Sequence, residues 1–210
     1  MMTIRNKTKC RLTSIAAFLL ITIFMLTGCG QASTTQSSVE LQKDGTVKAE
    51  IRASFKKDYY SLEEMEKGIR LAVDDYNDTH GAYLVEMEEA TVRDDWAEVL
   101  LYFRKAEDYA AFNNEMFYAG SLKTAADEGL VTLDTPLVKV DPKAADAAVN
   151  TLIAEDWQIL ICREPLLLKV PGRVGYVSNG LRLRDDGWVD ASLGDPSRIT
   201  LETPVFVIYK

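Results

Sequence analysis

Three cysteines and one histidine are the side chains of this sequence best suited to nucleophilic or metal chemistry. Cys10 and Cys29 lie near the N-terminus, so Cys162 is the one thiol in the rest of the chain and no intramolecular disulfide is expected there. A nucleophilic thiol needs a nearby base. Cys162 instead ends an apolar run, residues 157–162, where a free thiol behaves as a small hydrophobic group. One histidine, His80, and one such cysteine also cannot supply the three or four ligands of a zinc site.

Residues 74–81 are the best candidate for a cation site. Asp75, Asn77 and Thr79 have the 1-3-5 spacing of a calcium loop, and Glu86 falls at position 12. Position 6 is His80, where the loop requires glycine for its turn. A helical apolar pattern also runs through this segment. We therefore interpret it as a solvated helix end rather than a metal site.

Serine and carboxylate chemistry has no specific motif in this chain. Ser121 and Ser178 do not lie in a Gly-x-Ser-x-Gly elbow, and no phosphate-binding glycine loop is present. A glycosidase needs two carboxylates about 5 to 9.5 Å apart, a separation that sequence cannot give. Adjacent acidic pairs are plentiful, for example Glu63-Glu64, Asp94-Asp95 and Asp185-Asp186. The sequence predicts no catalytic residue, no metal ligand and no cofactor, and leaves a small glycan- or peptide-directed hydrolase as an alternative.

Aromatic side chains are the remaining candidates for ligand contact. Most aromatic residues pack in a core. Tyr59 and Tyr60 follow a strand that ends in two lysines, and Trp188 follows a turn. These three rings are therefore expected to be partly exposed, and we predict them as possible ligand-binding aromatics.

The first 28 residues have the composition of an export signal. Residues 2–11 contain four basic and no acidic side chains, and residues 15–26 form an apolar stretch interrupted by one threonine. A membrane-spanning helix needs about 20 apolar residues, so this stretch is short for a span.

The tetrad Leu26-Thr27-Gly28-Cys29 that follows resembles the lipobox of bacterial lipoproteins. The resemblance implies cleavage between Gly28 and Cys29 and a diacylglyceryl group on the Cys29 thiol. Two acyl chains give stable membrane attachment, whereas one chain is marginal. Four further segments resemble sequences in uncharacterised lipoproteins of clostridia-type Gram-positive bacteria. They are residues 58–60, 106–113, 170–178 and 207–210. This second resemblance implies a single-membrane cell with the protein on the outer face of its membrane, and it carries over no activity.

The chain beyond the leader is acidic. It retains 20 basic and 32 acidic side chains, a net charge of −12. Such a charge argues against nucleic acid as a binding partner and against electrostatic docking on anionic lipid. Residues 29–43 are predicted as the lipidated cysteine and a flexible tether, and residues 44–210 as one α+β domain with possible subdomains at 44–125 and 155–210.

The predicted fold begins with a β-α-β-β order. Apolar residues alternate from Val47 to Phe55, as in a half-buried strand, and Ser61 with Glu64 forms a capping box before an amphipathic helix that ends near Gly81. Further strands are predicted at 83–88 and 97–104, short helices at 107–113 and 122–128, an extended segment at 131–140, and a helix at 144–154 capped by Asp141.

The C-terminal third predicts short strands separated by turns such as Asn179-Gly180. These strands are residues 157–163, 166–170, 173–177, 181–184, 188–191 and 205–209. The fold class is therefore α+β: an antiparallel sheet with a packed amphipathic helix, and a β-rich C-terminal third of short hairpin strands.

These features lead to one functional expectation. The chain is expected to be a lipid-anchored protein on the extracytoplasmic face of the cell membrane, acting as a non-enzymatic binding or interaction module of the envelope. Besides the membrane, its partner would be an envelope protein, a wall polymer or a small ligand, and not nucleic acid. The 182 residues from Cys29 onward are few for a two-lobed solute-binding protein.

Overall fold

The computed structural model describes residues 36–141, 146–195 and 201–210. Within these ranges the chain forms two β-sheets and four helices. The helices are α1 Leu62–His80, α2 Ala106–Asn113, α3 Leu122–Asp127 and α4 Val149–Ala154. The strands are β1 Ser38–Leu41, β2 Val47–Ser54, β3 Val85–Arg93, β4 Trp96–Phe103, β5 Phe117–Ser121, β6 Val138–Lys139, β7 Gln158–Cys162, β8 Leu167–Lys169, β9 Val174–Val177, β10 Arg182–Leu183, β11 Val189–Asp190 and β12 Val205–Tyr209. Gly28 and Cys29 lie outside the described residues.

The larger sheet has seven strands in the order β10-β11-β8-β1-β2-β4-β3. Its strands pair antiparallel except for β1 and β8, which are parallel. Strands β2 and β4 pair along their whole length, from Val47 opposite Phe103 to Ser54 opposite Trp96. Alternate residues of β4 are buried and half-buried, so one face of the sheet packs on the core and the other meets solvent.

The predicted tether of residues 29–43 is too long, because β1 lies inside it. Val39 and Leu41 are buried, and the strand pairs with both β2 and β8. Four residues offer too little alternation to predict a strand from sequence. The neighbouring strands supply the backbone partners and the apolar surface that hold it.

The smaller sheet has five strands in the order β5-β7-β12-β9-β6 and lies between two apolar layers. On β7, Leu160 and Cys162 belong to the core shared with the larger sheet. Ile159 and Ile161 belong to a second cluster with residues of α3 and α4. Burial on both faces explains why β7 is a continuous apolar run.

Helix α1 confirms the predicted capping and amphipathic pattern. The backbone N–H of Glu64 donates to Ser61 Oγ at 3.3 Å, and the helix ends at Gly81, which has a left-handed φ of 64°. Val73 is buried, and Ile69 and Tyr76 are half-buried against the core. The helix therefore lies on the buried side of the larger sheet.

The α+β class with a packed helix and a β-rich C-terminal part is confirmed, but the strands divide into two sheets. Strands from both ends of the chain enter the larger sheet, and the main core includes residues from Val39 to Tyr209. The possible subdomains 44–125 and 155–210 thus share one core.

Several predicted boundaries are wrong. Helix α4 begins at Val149, after Ala148 in an extended conformation, so Asp141 does not cap it; residues 142–145 lie outside the described residues. Within 131–140 the strand is restricted to Val138–Lys139. Strand β5 was not predicted, since its sequence lacks an alternating pattern and its pairing with β7 defines it.

Candidate functional site

The half-exposed face of the larger sheet, called here the outer face, carries a row of contacting side chains from neighbouring strands. Lys48 on β2 lies opposite Tyr102 on β4 and opposite Glu40 on β1. Its Nζ is 5.9 Å from the centre of the Tyr102 ring. Lys169 on β8 continues the row, with Nζ 3.5 Å from Glu40 Oε1 and 5.3 Å from the centre of the Trp188 ring.

A second group on the outer face is centred on Arg52. Its Nη2 is 2.6 Å from Glu50 Oε1 and 3.3 Å from Glu98 Oε1. Leu100 and Leu167, both half-buried, lie on the same face. Arg52 and Glu98 are on adjacent strands, where an opposite-charge pair contributes about 0.2–1 kcal/mol, whereas Arg52 and Glu50 are both on β2. The pairs therefore order these side chains more than they stabilise the fold.

The outer face therefore combines arginine, aromatic and aliphatic groups in a fixed arrangement. Arginine and aromatic residues are enriched at protein interfaces, and the half-buried leucines add apolar area. The alternation in β2 and β4 predicts that these side chains share a face. The rows themselves depend on strand order and register, which sequence does not give.

The three predicted ligand-binding aromatics do not come together. Trp188 precedes β11 and lies beside Lys169, level with Glu40 and Lys48. Phe55, which contacts Tyr60, lies seven positions beyond Lys48 in the direction of β2, roughly 23 Å along the strand axis at 3.3 Å per residue. Trp188 belongs to the outer face, whereas Tyr59 and Tyr60 lie at one end of the sheet.

Phe55, Tyr59 and Tyr60 form a cluster of rings, called here the aromatic patch. The ring centres of Phe55 and Tyr60 are 5.2 Å apart, and those of Tyr59 and Tyr60 are 5.0 Å apart in an edge-to-face arrangement. The backbone N–H of Tyr60 donates to the Lys57 carbonyl at 3.0 Å, closing a turn that brings the rings together. Tyr59 is 75% exposed, so one ring of the patch is accessible to solvent.

The calcium-like segment has a structural role. Residues 75–79 are helical, and the buried Asn77 side chain holds the start of β3. Its Oδ1 accepts from the backbone N–H groups of Leu84 and Val85, and its Nδ2 donates to the Val85 carbonyl. Among the described residues, no three His, Cys, Asp or Glu side chains are grouped so as to hold a metal ion.

His80, Ser121 and Ser178 each have local partners in the fold. The His80 ring lies 4.1 Å from the Tyr76 ring, centre to centre, and its Nδ1 is 2.7 Å from the Tyr76 carbonyl oxygen. Ser121 Oγ accepts from the backbone N–H of Thr124 at the start of α3. Ser178 Oγ accepts from the backbone N–H of Phe206 at 2.6 Å. These contacts cap or join secondary-structure elements.

The three acidic pairs given as examples in the sequence lie apart from one another in the fold. Glu63 and Glu64 are in the first turn of α1, where their negative charges interact favourably with the positive end of the helix dipole. Asp94 and Asp95 form the turn between β3 and β4, both with positive φ. Asp186 accepts from the backbone N–H of Trp188 in the turn before β11.

A buried polar pair that no sequence motif predicts joins α2 to the segment after β7. Tyr109 Oη donates to Glu164 Oε2 at 2.8 Å, and both residues are buried. Burial raises the pKa of the Glu164 carboxyl to about 7 and that of the nearby Cys162 thiol to about 12. The position of Glu164 between the apolar runs 157–162 and 165–168 is the sequence signal that could have predicted its burial. Cys162 is fully buried, in agreement with its prediction as a small hydrophobic group.

The described residues include no helix with the length and apolar character required to span a membrane. No protein-family model matches the chain, and no curated protein or solved structure is significantly similar to it.

Proposed function

We propose that this chain is a lipid-anchored interaction module of the cell envelope, held at the extracytoplasmic face of the membrane through Cys29. The ordered outer face is the observation that carries the binding role. The anchor is supported by the basic leader, the apolar stretch and the tetrad that resembles a lipobox.

The outer face supports a protein or wall-polymer partner through its chemistry. Tyr102 and Trp188 offer rings to an incoming apolar or sugar group, and each ring already lies close to a lysine. Arg52 is held by two carboxylates, so it is ordered before a partner arrives. Pre-ordered side chains lose less conformational entropy on binding than mobile ones.

The hydrolase alternative has no comparable support. Glu164 has the raised pKa expected of a general acid, but its carboxyl contacts Tyr109 within the core. We therefore propose binding and not hydrolysis.

The anchor is tested by replacing Cys29. Cys29→Ala should release the protein from the membrane or leave an uncleaved precursor, because the acylated thiol is lost. Cys10→Ala, in the leader, is the matched control and should be processed normally. Unchanged processing and membrane association of Cys29→Ala would refute the anchor.

The binding face is tested by photo-crosslinking in cells. p-Benzoylphenylalanine replaces Tyr102 on the outer face or, as a control, Tyr83, which is 91% exposed and precedes β3. We expect a discrete adduct from position 102 that is absent from position 83, and mass spectrometry would distinguish protein from wall polymer. The same adducts at both positions, or no adduct at position 102, would count against this face.

A further inference from the structure

We propose that the aromatic patch is a membrane-contact surface that rests on the bilayer to which the chain is anchored. This inference depends on the proposed anchor at Cys29. It adds an orientation: one defined end of the larger sheet lies against the lipid, and the opposite end points away from it.

The chain enters the larger sheet at the end that carries the patch. Ser37 Oγ accepts from the backbone N–H of Arg52 at 3.0 Å, and β1 then runs antiparallel to β2. Strand β2 therefore runs back towards the side from which the N-terminal segment arrives. The three residues from Arg52 to Phe55 extend about 10 Å in that direction, so the patch projects past the point of entry.

The distance to the anchor is limited by covalent geometry. Cys29 is seven positions before Gln36, and a chain of that length spans at most about 25 Å. The lipid on Cys29 must lie within that distance of Gln36. Tyr83 lies at the other end of the sheet, because it precedes Val85, which is level with Val47 through Phe103. Val47 and Ser54 are the ends of β2, about 26 Å of strand apart. The patch lies at the end of the sheet nearer the anchor, and this position favours its contact with the bilayer over that of the far end.

The side chains of the patch suit the membrane–water interface. Tyrosine rings favour the headgroup level because they are apolar with one polar tip. Leu62, three positions after Tyr59 and at the start of α1, is 36% exposed and adds apolar area to this segment. Lys56 and Lys57 are exposed next to the rings, where their stems can lie on apolar lipid while the ammonium groups reach the phosphates.

The patch segment carries a small positive charge, but the end of the sheet around it is acidic. Residues 55–62 contain two lysines and one aspartate, an excess of one positive charge. Glu63 and Glu64 follow in α1, and Asp94 and Asp95 form the turn at the same end of the sheet. The contact is therefore carried by the rings and the adjacent lysines, and not by net attraction to anionic lipid.

The test uses the full chain, expressed in cells, isolated with its lipid and reconstituted in vesicles of phosphatidylcholine and phosphatidylglycerol. p-Benzoylphenylalanine replaces Tyr59 in one variant and Tyr83 in the other, because both positions are exposed tyrosines at opposite ends of the sheet. After illumination, we expect a several-fold excess of lipid adducts at position 59. Hydrogen exchange of the unmodified chain should show slower exchange in residues 55–62 on vesicles than in detergent, with residues 81–84 unchanged.

The outcomes separate this inference from the anchor on which it depends. Protein that is washed from the vesicles by carbonate lacks the anchor, and both proposals then fail. Anchored protein with equal lipid labelling at the two positions, or with protein adducts only at position 59, overturns the membrane contact and leaves the anchor standing.

Discussion

Replacing Glu164 with glutamine should make the protein more stable than the native chain at alkaline pH. The Glu164 side chain is 9% exposed, and its Oε2 accepts from Tyr109 Oη at 2.8 Å. Burial raises the pKa of this carboxyl from 4.5 to about 7, an effect that the Tyr109 hydrogen bond reduces only in part. The folded protein therefore resists ionisation of a group that ionises readily when the chain is unfolded.

The sign and size of the effect follow from this difference. An acid whose pKa is higher in the folded chain contributes stability that is fully present below pH 4.5, the ordinary value, and is lost as pH rises to about 7. At about 1.4 kcal/mol for each pH unit in that interval, the loss is about 3 kcal/mol. Glutamine carries no charge, and its Oε1 can still accept from Tyr109. We expect Glu164→Gln to exceed the native chain by about 2–3 kcal/mol at pH 8 and to differ little near pH 5.

The measurement is the free energy of unfolding in urea, followed by tryptophan fluorescence at several values between pH 5 and pH 8. Glu86→Gln removes an exposed carboxyl from β3 and is the matched control. It should give a difference from the native chain that varies little with pH. If the difference between the native chain and Glu164→Gln is constant across this range, Glu164 does not ionise as its burial requires and the reasoning fails.

Three further predictions concern two glycines and the buried thiol. Gly175→Ala should destabilise the fold by about 1–3 kcal/mol, because a Cβ there would lie 2.6 Å from the Trp157 ring. Gly68→Ala in α1 should instead stabilise the fold by up to about 1 kcal/mol, because a Cβ there meets nothing within 4 Å. Urea unfolding of the two variants checks both signs, and equal effects would contradict the packing argument. Cys162, fully buried with its thiol pKa raised to about 12, should react with a thiol reagent at pH 8 only after denaturation; rapid labelling of the native protein would show that the site opens.

Local patterns predicted the elements that carry their own signals. Helix α1 has the sequence of a capping box, an apolar stripe and a terminal glycine, and the structure has the serine N-cap, the stripe and the left-handed glycine. Strand β2 has a strict alternation, and its partner β4 is buried at every second residue. Strand β1 and strand β5 have no such pattern. They exist because neighbouring strands offer backbone partners and apolar surface, and this information lies far away in the sequence.

The candidate site divides in the same way. The sequence identified Tyr59, Tyr60 and Trp188 as rings to be exposed, but it could not place Trp188 beside Lys169 and away from the two tyrosines. It also gave no reason to connect Tyr109 with Glu164, which are 55 positions apart and share a hydrogen bond in the core.

The sequence by itself determined the acidic charge of residues 29–210, the single cysteine that follows Cys29, the candidate anchor at Cys29 and the amphipathic character of α1 and β2. These properties depend on composition or on residues a few positions apart, and such short-range patterns are readable without a fold. The tertiary structure decided the contact rows of the outer face, the end of the sheet at which the chain enters, and the burial of Glu164. Each of these depends on strand order and register, which arise when distant segments bury their apolar faces against one another.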